Sequence, residues 1–427
     1  MDTLEQENSK QLAELIIKNG TPDKDAETQL MSYSLEASGL RKRHMADLLA
    51  DLTVKATKSS NVDVIATHRN NIQSIMIGAI AAAFNYKWLA ISTRSINHTK
   101  EYTLGQLNFS RRRLERILPV LIEDGWLIEG RKGFLSQSAR TPSKSSQYFA
   151  GERLIRYFCD SLYRFSIPLE LESYHRFNNF PKGTNPDSSL FSANDELLRH
   201  YHRFMQDHSW AMKGPTVRTF SESMDRGGRL HTNFQNIVNR RIPIRRSTLL
   251  SGKKIVEPDF SCNHFRMAAA LVGEELPADP YKELIAAVGR DPTLYRNQAK
   301  SFITRCIGAK SLRQKGGLMQ TATKGTGQDD KIETELFREL LVTTDKLFPW
   351  VKQENVFFND VGARMQKLEG EIGLGMLEWA IEEKKPLLMV HDSCAVREED
   401  GKETKDRMQK EWEKVIGKEK RTKGFRR

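Results

Sequence analysis

The feature that most restricts this chain is a short apolar run that ends on an acid, Pro386-Leu387-Leu388-Met389-Val390-His391-Asp392-Ser393-Cys394-Ala395-Val396. Large apolar residues bounded by turn formers read as a buried strand. A strand that closes on His-Asp delivers a carboxylate from a rigid element. A second segment, Lys254-Ile255-Val256-Glu257-Pro258-Asp259-Phe260-Ser261, has the same construction. Two carboxylates brought together in this way can hold two hard cations about 4 Å apart, the arrangement used for in-line phosphoryl transfer. Between them lies Arg296-Asn297-Gln298-Ala299-Lys300. Its two cations stand at i and i+4, share one helix face, and suit the gripping of a triphosphate.

Composition narrows the setting. A chain of 427 residues has room for two or three domains. No apolar stretch approaches the roughly 18 residues of a membrane span. The opening Met1-Asp2-Thr3-Leu4-Glu5-Gln6-Glu7 is too acidic and polar for a signal peptide, so a cytoplasmic protein is expected. Cys159, Cys262, Cys306 and Cys394 form no CxxC pair, which fits a reducing compartment and argues against zinc. A net charge of +12 favours a polyanionic partner, most simply nucleic acid, although a basic soluble enzyme has the same balance.

Along the chain, residues 1–55 read as helical, with apolar stripes at Leu12, Leu15 and Ile16 and at Met45, Leu48 and Leu49. Residues 70–95 hold a small-residue helix expected to be buried. Next, Ser110 caps an amphipathic helix that begins Arg111-Arg112-Arg113 and stops at Asp124-Gly125. Trp126 to Phe134 then reads as a two-stranded wing. With Tyr102–Leu107 in front, this order resembles a winged helix-turn-helix, whose Arg111, Arg112 and Arg113 would meet phosphates or base edges. A winged-helix unit used only for packing is the alternative.

Residues 136–150 are Ser-rich and read as a linker. Residues 151–215 look largely helical. Their His200-Tyr201-His202 cluster puts two His at i, i+2, off a common helix face, so a surface position is preferred to a metal site. Lys315 to Gln328 is Gly- and Thr-rich and reads as mobile. From Gly401 the chain is charged and mostly basic, a tail that holds nucleic acid or frays into solvent. The sequence contains no repeats.

Two further segments carry chemistry. In Asp225-Arg226-Gly227-Gly228-Arg229-Leu230-His231-Thr232-Asn233-Phe234-Gln235-Asn236, the glycines would let the backbone approach a ligand. Arg229 could fork onto a phosphate, and the alternation of His231, Asn233 and Gln235 suggests a strand with amides on one side. The plainer reading is a Gly turn with a surface Arg. In Asp259-Phe260-Ser261-Cys262-Asn263-His264-Phe265-Arg266, an Asp before a small-residue helix suits a metal ligand; the plainer reading is a helix N-cap.

Taken in order, Arg229-Leu230 after paired glycines, the Asp259 strand–helix, the Arg296/Lys300 pair and His391-Asp392-Ser393 resemble the family A DNA polymerases and the related phage-type single-subunit RNA polymerases. Gln366-Lys367-Leu368-Glu369-Gly370-Glu371-Ile372 stands before the last strand as in that family. The resemblance covers about residues 217–396. It implies Asp259 and Asp392 as ligands of two Mg²⁺ ions, and Arg296 and Lys300 as the residues that hold the incoming triphosphate. It also implies Arg229 near the primer terminus, His391 beside the primer end and Gln366 on the template side.

There are departures. His264 stands where bacterial members have a Glu that blocks a ribose 2′-hydroxyl; as a bulky residue it could still gate the sugar, which tilts the expectation towards deoxynucleotides. The Tyr-Gly that ends the fingers helix is missing. Ser393 and Cys262 have counterparts in the RNA polymerases.

The expected architecture is α+β: a right-hand polymerase fold with an antiparallel palm sheet and helical fingers, behind a mainly helical winged-helix domain. The boundaries read 1–140 for the DNA-binding domain and 151–216 for a helical thumb-like or bracing segment. Palm and fingers take 217–396 (fingers about 275–345), and 397–427 is a basic tail. The expected function is a template-directed DNA polymerase without proofreading, for a plasmid, phage or mobile element. Its partners would be DNA template, primer and nucleoside triphosphates, with no membrane. The alternatives are a single-subunit RNA polymerase or primase-like enzyme, and a DNA-binding initiator or regulator with an inactive polymerase fold. An HD-type phosphohydrolase is set aside, since His391-Asp392 lies in a strand-like run.

Overall fold

The computed structural model describes residues 3–24, 26, 28–30, 42–91, 110–133, 145–160, 162–163, 169–180, 189–240, 242–311, 317–318 and 331–423. Helices and sheets are mixed along the chain, an α+β architecture. It divides into two units: one takes Met1–Leu171, His202–Pro215 and Thr232–Val256, the other Glu172–Tyr201, Thr216–His231 and Glu257–Arg427. The expected boundary at 217 is therefore interleaved, because Thr232–Val256 clusters with the N-terminal residues.

The first unit contains helix α1 (Thr3–Asn19), strand β1 (Thr28–Leu30), α2 (Lys42–Ala56), α3 (Val62–Phe84) and β2 (Trp88–Ile91). After these come α4 (Arg111–Glu123), β3 (Leu127–Glu129), β4 (Ser146–Ala150) and α5 (Glu152–Cys159). α3 is the anticipated small-residue helix. Asn61 caps it by accepting from the Asp63 and Val64 amides. Ile72, Ile75, Met76, Ala79, Ile80 and Ala83 are buried, and the helix packs on α2 and β4. Ser110 caps α4 by accepting from the Arg113 amide, and Gly125 ends it at φ +75°. Leu114, Ile117, Leu118 and Leu121 point inward.

Four expectations fail in this unit. The 1–55 segment is not helical throughout, because β1 interrupts it and pairs in parallel with β2. The partner of β3 is not the adjacent chain but β4, through Leu127↔Ala150, Ile128↔Phe149 and Glu129↔Tyr148. The linker expected over 136–150 thus ends in a strand. Its serines mask Gln147-Tyr148-Phe149-Ala150, all buried at the middle of a sheet ordered β1-β2-β4-β3. Residues 102–109 and 134–144 lie outside the described residues. Finally, Phe234–Asn236 is a 3₁₀ turn rather than a strand. The Thr232 hydroxyl accepts from the Gln235 amide at 3.1 Å and closes it.

The second unit opens with β5 (His175–Asn178), α6 (Ser189–Met205), β6 (Val217–Ser221) and β7 (Ser223–His231). The expected helical brace over 151–216 therefore contains a strand: β5 runs parallel to β6, which pairs antiparallel with β7. Tyr201 and His202 are buried, not at the surface. Leu198, Tyr201, His202 and Met205 occupy i, i+3, i+4 and i+7, the inward stripe of α6; only His200 is exposed.

Next come α7 (Asn263–Val272), α8 (Pro280–Ala287), α9 (Pro292–Gly308) and α10 (Thr334–Leu347). Phe265, Leu284, Phe302, Phe337 and Leu340 share one core there. All but 317–318 of Lys315–Gln328 lies outside the described residues. α11 (Val361–Glu382) lies along β7, and the β8 (Leu387–Val390) and β9 (Ser393–Arg397) strands form an antiparallel hairpin.

The paired glycines at 227–228 serve packing. Both have positive φ, and a Cβ on Gly370 of α11 would lie 1.9 Å from the Gly228 carbonyl oxygen. The expected tail is also ordered. Gly401–Lys423 forms helix α12, with Met408 and Ile416 buried and Arg364 bonded to Glu419 at 2.5 Å. Met408, Trp412 and Ile416 recur every four residues and make an apolar stripe that the surrounding charges obscure.

Candidate active site

β8 is buried along its length and turns at His391-Asp392, where Val390 pairs with Ser393. His391 holds the turn in a left-handed conformation, φ 56°. The backbone at Asp259 bridges antiparallel to Ser393, and the Cys394 amide donates to the Pro258 carbonyl at 3.2 Å. The two aspartates are thus set side by side by main-chain pairing. Asp259 is not a helix cap: that position falls to Cys262, at φ 58°, with no side-chain capping bond.

Both carboxyls are perturbed. Dense packing under Asp259, and then the charge of Asp392, push its carboxyl up to about 6, with Lys300 pulling the other way. Burial and then Glu369 hold Asp392 above its ordinary value, with Arg229 and His264 opposing. Asp259 still meets solvent, through a groove of about 790 Å³ whose walls include Ser261, Arg266, Lys405 and Trp412.

Two neighbouring carboxyls whose ionised forms are penalised, Asp259 by burial and Asp392, and Asp392 by burial and Glu369, form a site that a cation relieves. Hard oxygen donors suit Mg²⁺, so the residues fit that ion. Among the described residues no group of three or more His, Cys, Asp or Glu is placed to hold a metal ion.

The remaining expected residues distribute as follows. Lys300 is exposed, and its charge acts on Asp259. Arg296, one turn earlier on α9, donates to Asp279 at 2.6 Å and lies 5.4 Å from the Tyr281 ring centroid, so it is already engaged. Arg229, His264 and His391 come together: the Arg229 guanidinium is 3.4 Å from His391 Nδ1 and 3.4 Å from His264 Nε2. Gln366 is half-buried on α11. Arg111, Arg112 and Arg113 belong to the other unit, at the start of α4, where Arg111 pairs with Glu115 at 2.7 Å.

The residue of α11 that reaches the cluster is Glu369, which sequence reasoning missed. Its carboxylate accepts from Arg229 Nε at 2.7 Å and from Arg229 Nη2, from Asn263 Nδ2 at 3.1 Å and from His264 Nε2 at 2.9 Å. Burial alone would raise its pKa, but the His264 and Arg229 interactions win and hold it down to about 2. A signal was present: Glu369 interrupts the apolar stripe Met365-Leu368-Ile372-Met376, and an acid in a buried stripe requires partners. Trp412 of α12 donates to Asn263 Oδ1 at 3.1 Å, which extends the network by one residue.

No protein-family model matches this sequence, and a search of curated proteins finds no match either.

Proposed function

We propose that the chain is a template-directed nucleotidyltransferase, a compact DNA polymerase of the family A kind, acting by two-metal phosphoryl transfer. The observation that carries this reading is the main-chain bridge that sets Asp259 beside Asp392, with the charge of Lys300 acting on Asp259 from a separate helix. Mg²⁺ held by the two aspartates would supply the Lewis acid that activates a primer 3′-hydroxyl and neutralises the leaving pyrophosphate.

The protein's own groups do the rest. Lys300 stabilises charge that builds on the triphosphate. Arg296 joins it by exchanging the Asp279 carboxylate for a phosphate. Glu369 holds Arg229 and His264 in fixed orientations, so Arg229 presents its remaining donors to the primer end near His391. In the first unit, the strand order β2-β4-β3 within the β1-β2-β4-β3 sheet, with α4 between β2 and β3, supports a winged-helix reading. The exposed Arg111 and Arg112, with Arg113, fit a role in holding DNA.

A DNA-binding initiator with an idle site is the second reading, favoured by the Arg296–Asp279 pair. Extension of a labelled primer on a DNA template with Mg²⁺, using dNTPs and NTPs in parallel, decides between them. Incorporation that Asp392→Asn abolishes while DNA binding persists supports the polymerase, and the preferred nucleotide chooses between DNA and RNA synthesis. No incorporation with DNA still bound moves the conclusion to the initiator.

A further inference from the structure

The β5–β6–β7 sheet has one covered face and one that opens towards its β5 edge, from buried Val217 through half-buried Thr219, Arg229 and His231 to exposed Arg176. On the covered side, Leu230 meets Gly373 of α11, Arg218 pairs with Glu371 at 2.7 Å, and His175 bonds Asp195 of α6 at 2.8 Å. The register places Arg176, Thr219 and Arg229 directly opposite one another across the three strands. Residues paired in this way project to the same side, here the side opposite Arg218 and Leu230. His231, two positions beyond Arg229, shares that side.

We propose that this open face is a track for the sugar-phosphate backbone of a primer strand, with Arg176 as its outer contact. The identity of the strand rests on the polymerase reading above; the affinity for a phosphate backbone does not. Arg176 is exposed and makes no ion pair among the described residues. The neighbouring rows bring Asn178, Ser221 and Ser223 on one side and Val217 and His231 on the other; Glu369 bonds Arg229 through Nε and Nη2 and leaves its Nη1 beside His391. Their field is felt locally: after burial, Arg229 and then Arg176 depress the His231 imidazole. The His231 ring lies 6.5 Å from that of His391, so the row ends beside Asp392. Two strand spacings separate Arg176 from Arg229, ~10 Å, which matches the axial rise of about three nucleotides.

The test uses the full chain and a DNA duplex with a recessed 3′ end, titrated by fluorescence anisotropy across salt concentrations. Arg176→Ala should weaken binding about 3- to 10-fold and reduce the salt slope by about one. Neutral methylphosphonates are then placed singly along the primer. Wild type should lose affinity at one phosphate about three nucleotides from the one sensed by Arg229→Ala, and Arg176→Ala should be indifferent to that position. Unchanged affinity and slope in Arg176→Ala, or equal sensitivity at every phosphate, overturns the track. If wild type extends no primer yet the position-specific loss appears, the track stands and the polymerase reading fails. If wild type extends primer and Arg176→Ala binds as tightly, the track alone fails.

Discussion

Replacing Glu369 by Gln preserves the volume of the side chain and removes its charge. The carboxylate serves donors from Arg229, Asn263 and His264 and is only 2% exposed. A glutamine offers one oxygen and turns an N–H₂ group against donors that already point inward. Removing one partner of a buried ion pair costs about 3–5 kcal/mol. Arg229 is 19% exposed, so water compensates it in part and the lower figure, roughly 3 kcal/mol, applies. Linkage gives a similar size: a carboxyl taken from an ordinary 4.5 down to about 2 contributes on the order of 3 kcal/mol at neutral pH. Because the folded value is depressed, that contribution is fully present above about pH 4.5 and is lost as pH falls through about 2. Urea unfolding of wild type and Glu369→Gln at several pH values checks both statements. The gap should be widest at pH 7 and should narrow steadily below pH 4.5. A gap under about 1 kcal/mol at pH 7, or one that widens in acid, would refute the role given to Glu369.

Three further outcomes are expected. Gly370→Ala should lower stability by about 2–3 kcal/mol in a thermal scan, because the new methyl meets the Gly228 carbonyl and backbone bounds both sides; an unchanged melting temperature contradicts the close approach. Ile416→Asp should cost about 3 kcal/mol if α12 packs as described, whereas a substitution on a solvated tail would stay within about 0.5 kcal/mol. Lys300→Ala should raise the nucleotide KM at least tenfold. It should also move the acid limb of Mg²⁺-dependent incorporation to higher pH, since the charge it removes is one that keeps the Asp259 carboxyl down; a limb that stays in place or shifts to lower pH refutes the coupling.

What could be read from the sequence followed local rules. α4 announces itself by periodicity and by the cap Ser110, whose bond lies within three residues, and α3 by its run of small and apolar residues. The hairpin turn at His391-Asp392 is legible because an apolar run must stop where a polar pair begins. The gathering of Arg229, His264 and His391 could be anticipated only through the resemblance, since their positions span 162 residues. Glu369 was overlooked because its partners come from two other elements, and a charge inside a helix first suggests solvent. β4 was hidden by the serines beside it, His202 by its polar neighbours, and α12 by charges around an apolar stripe with only three large members. In each case the deciding fact was a partner distant in sequence, which neither composition nor spacing reports.

The left-handed residues beside the two aspartates set stability against precision. Cys262 and His391 hold a conformation that costs an L residue roughly 1–2 kcal/mol, and glycine would adopt it freely. A laboratory search for heat-tolerant variants should therefore be drawn to these two positions early. Glycine at 391 also lets the turn relax to other shapes, and that turn is what aims Asp392. Variants that survive higher temperature through this substitution should accordingly be slower, and recovering their speed should require tightening the β8–β9 turn elsewhere.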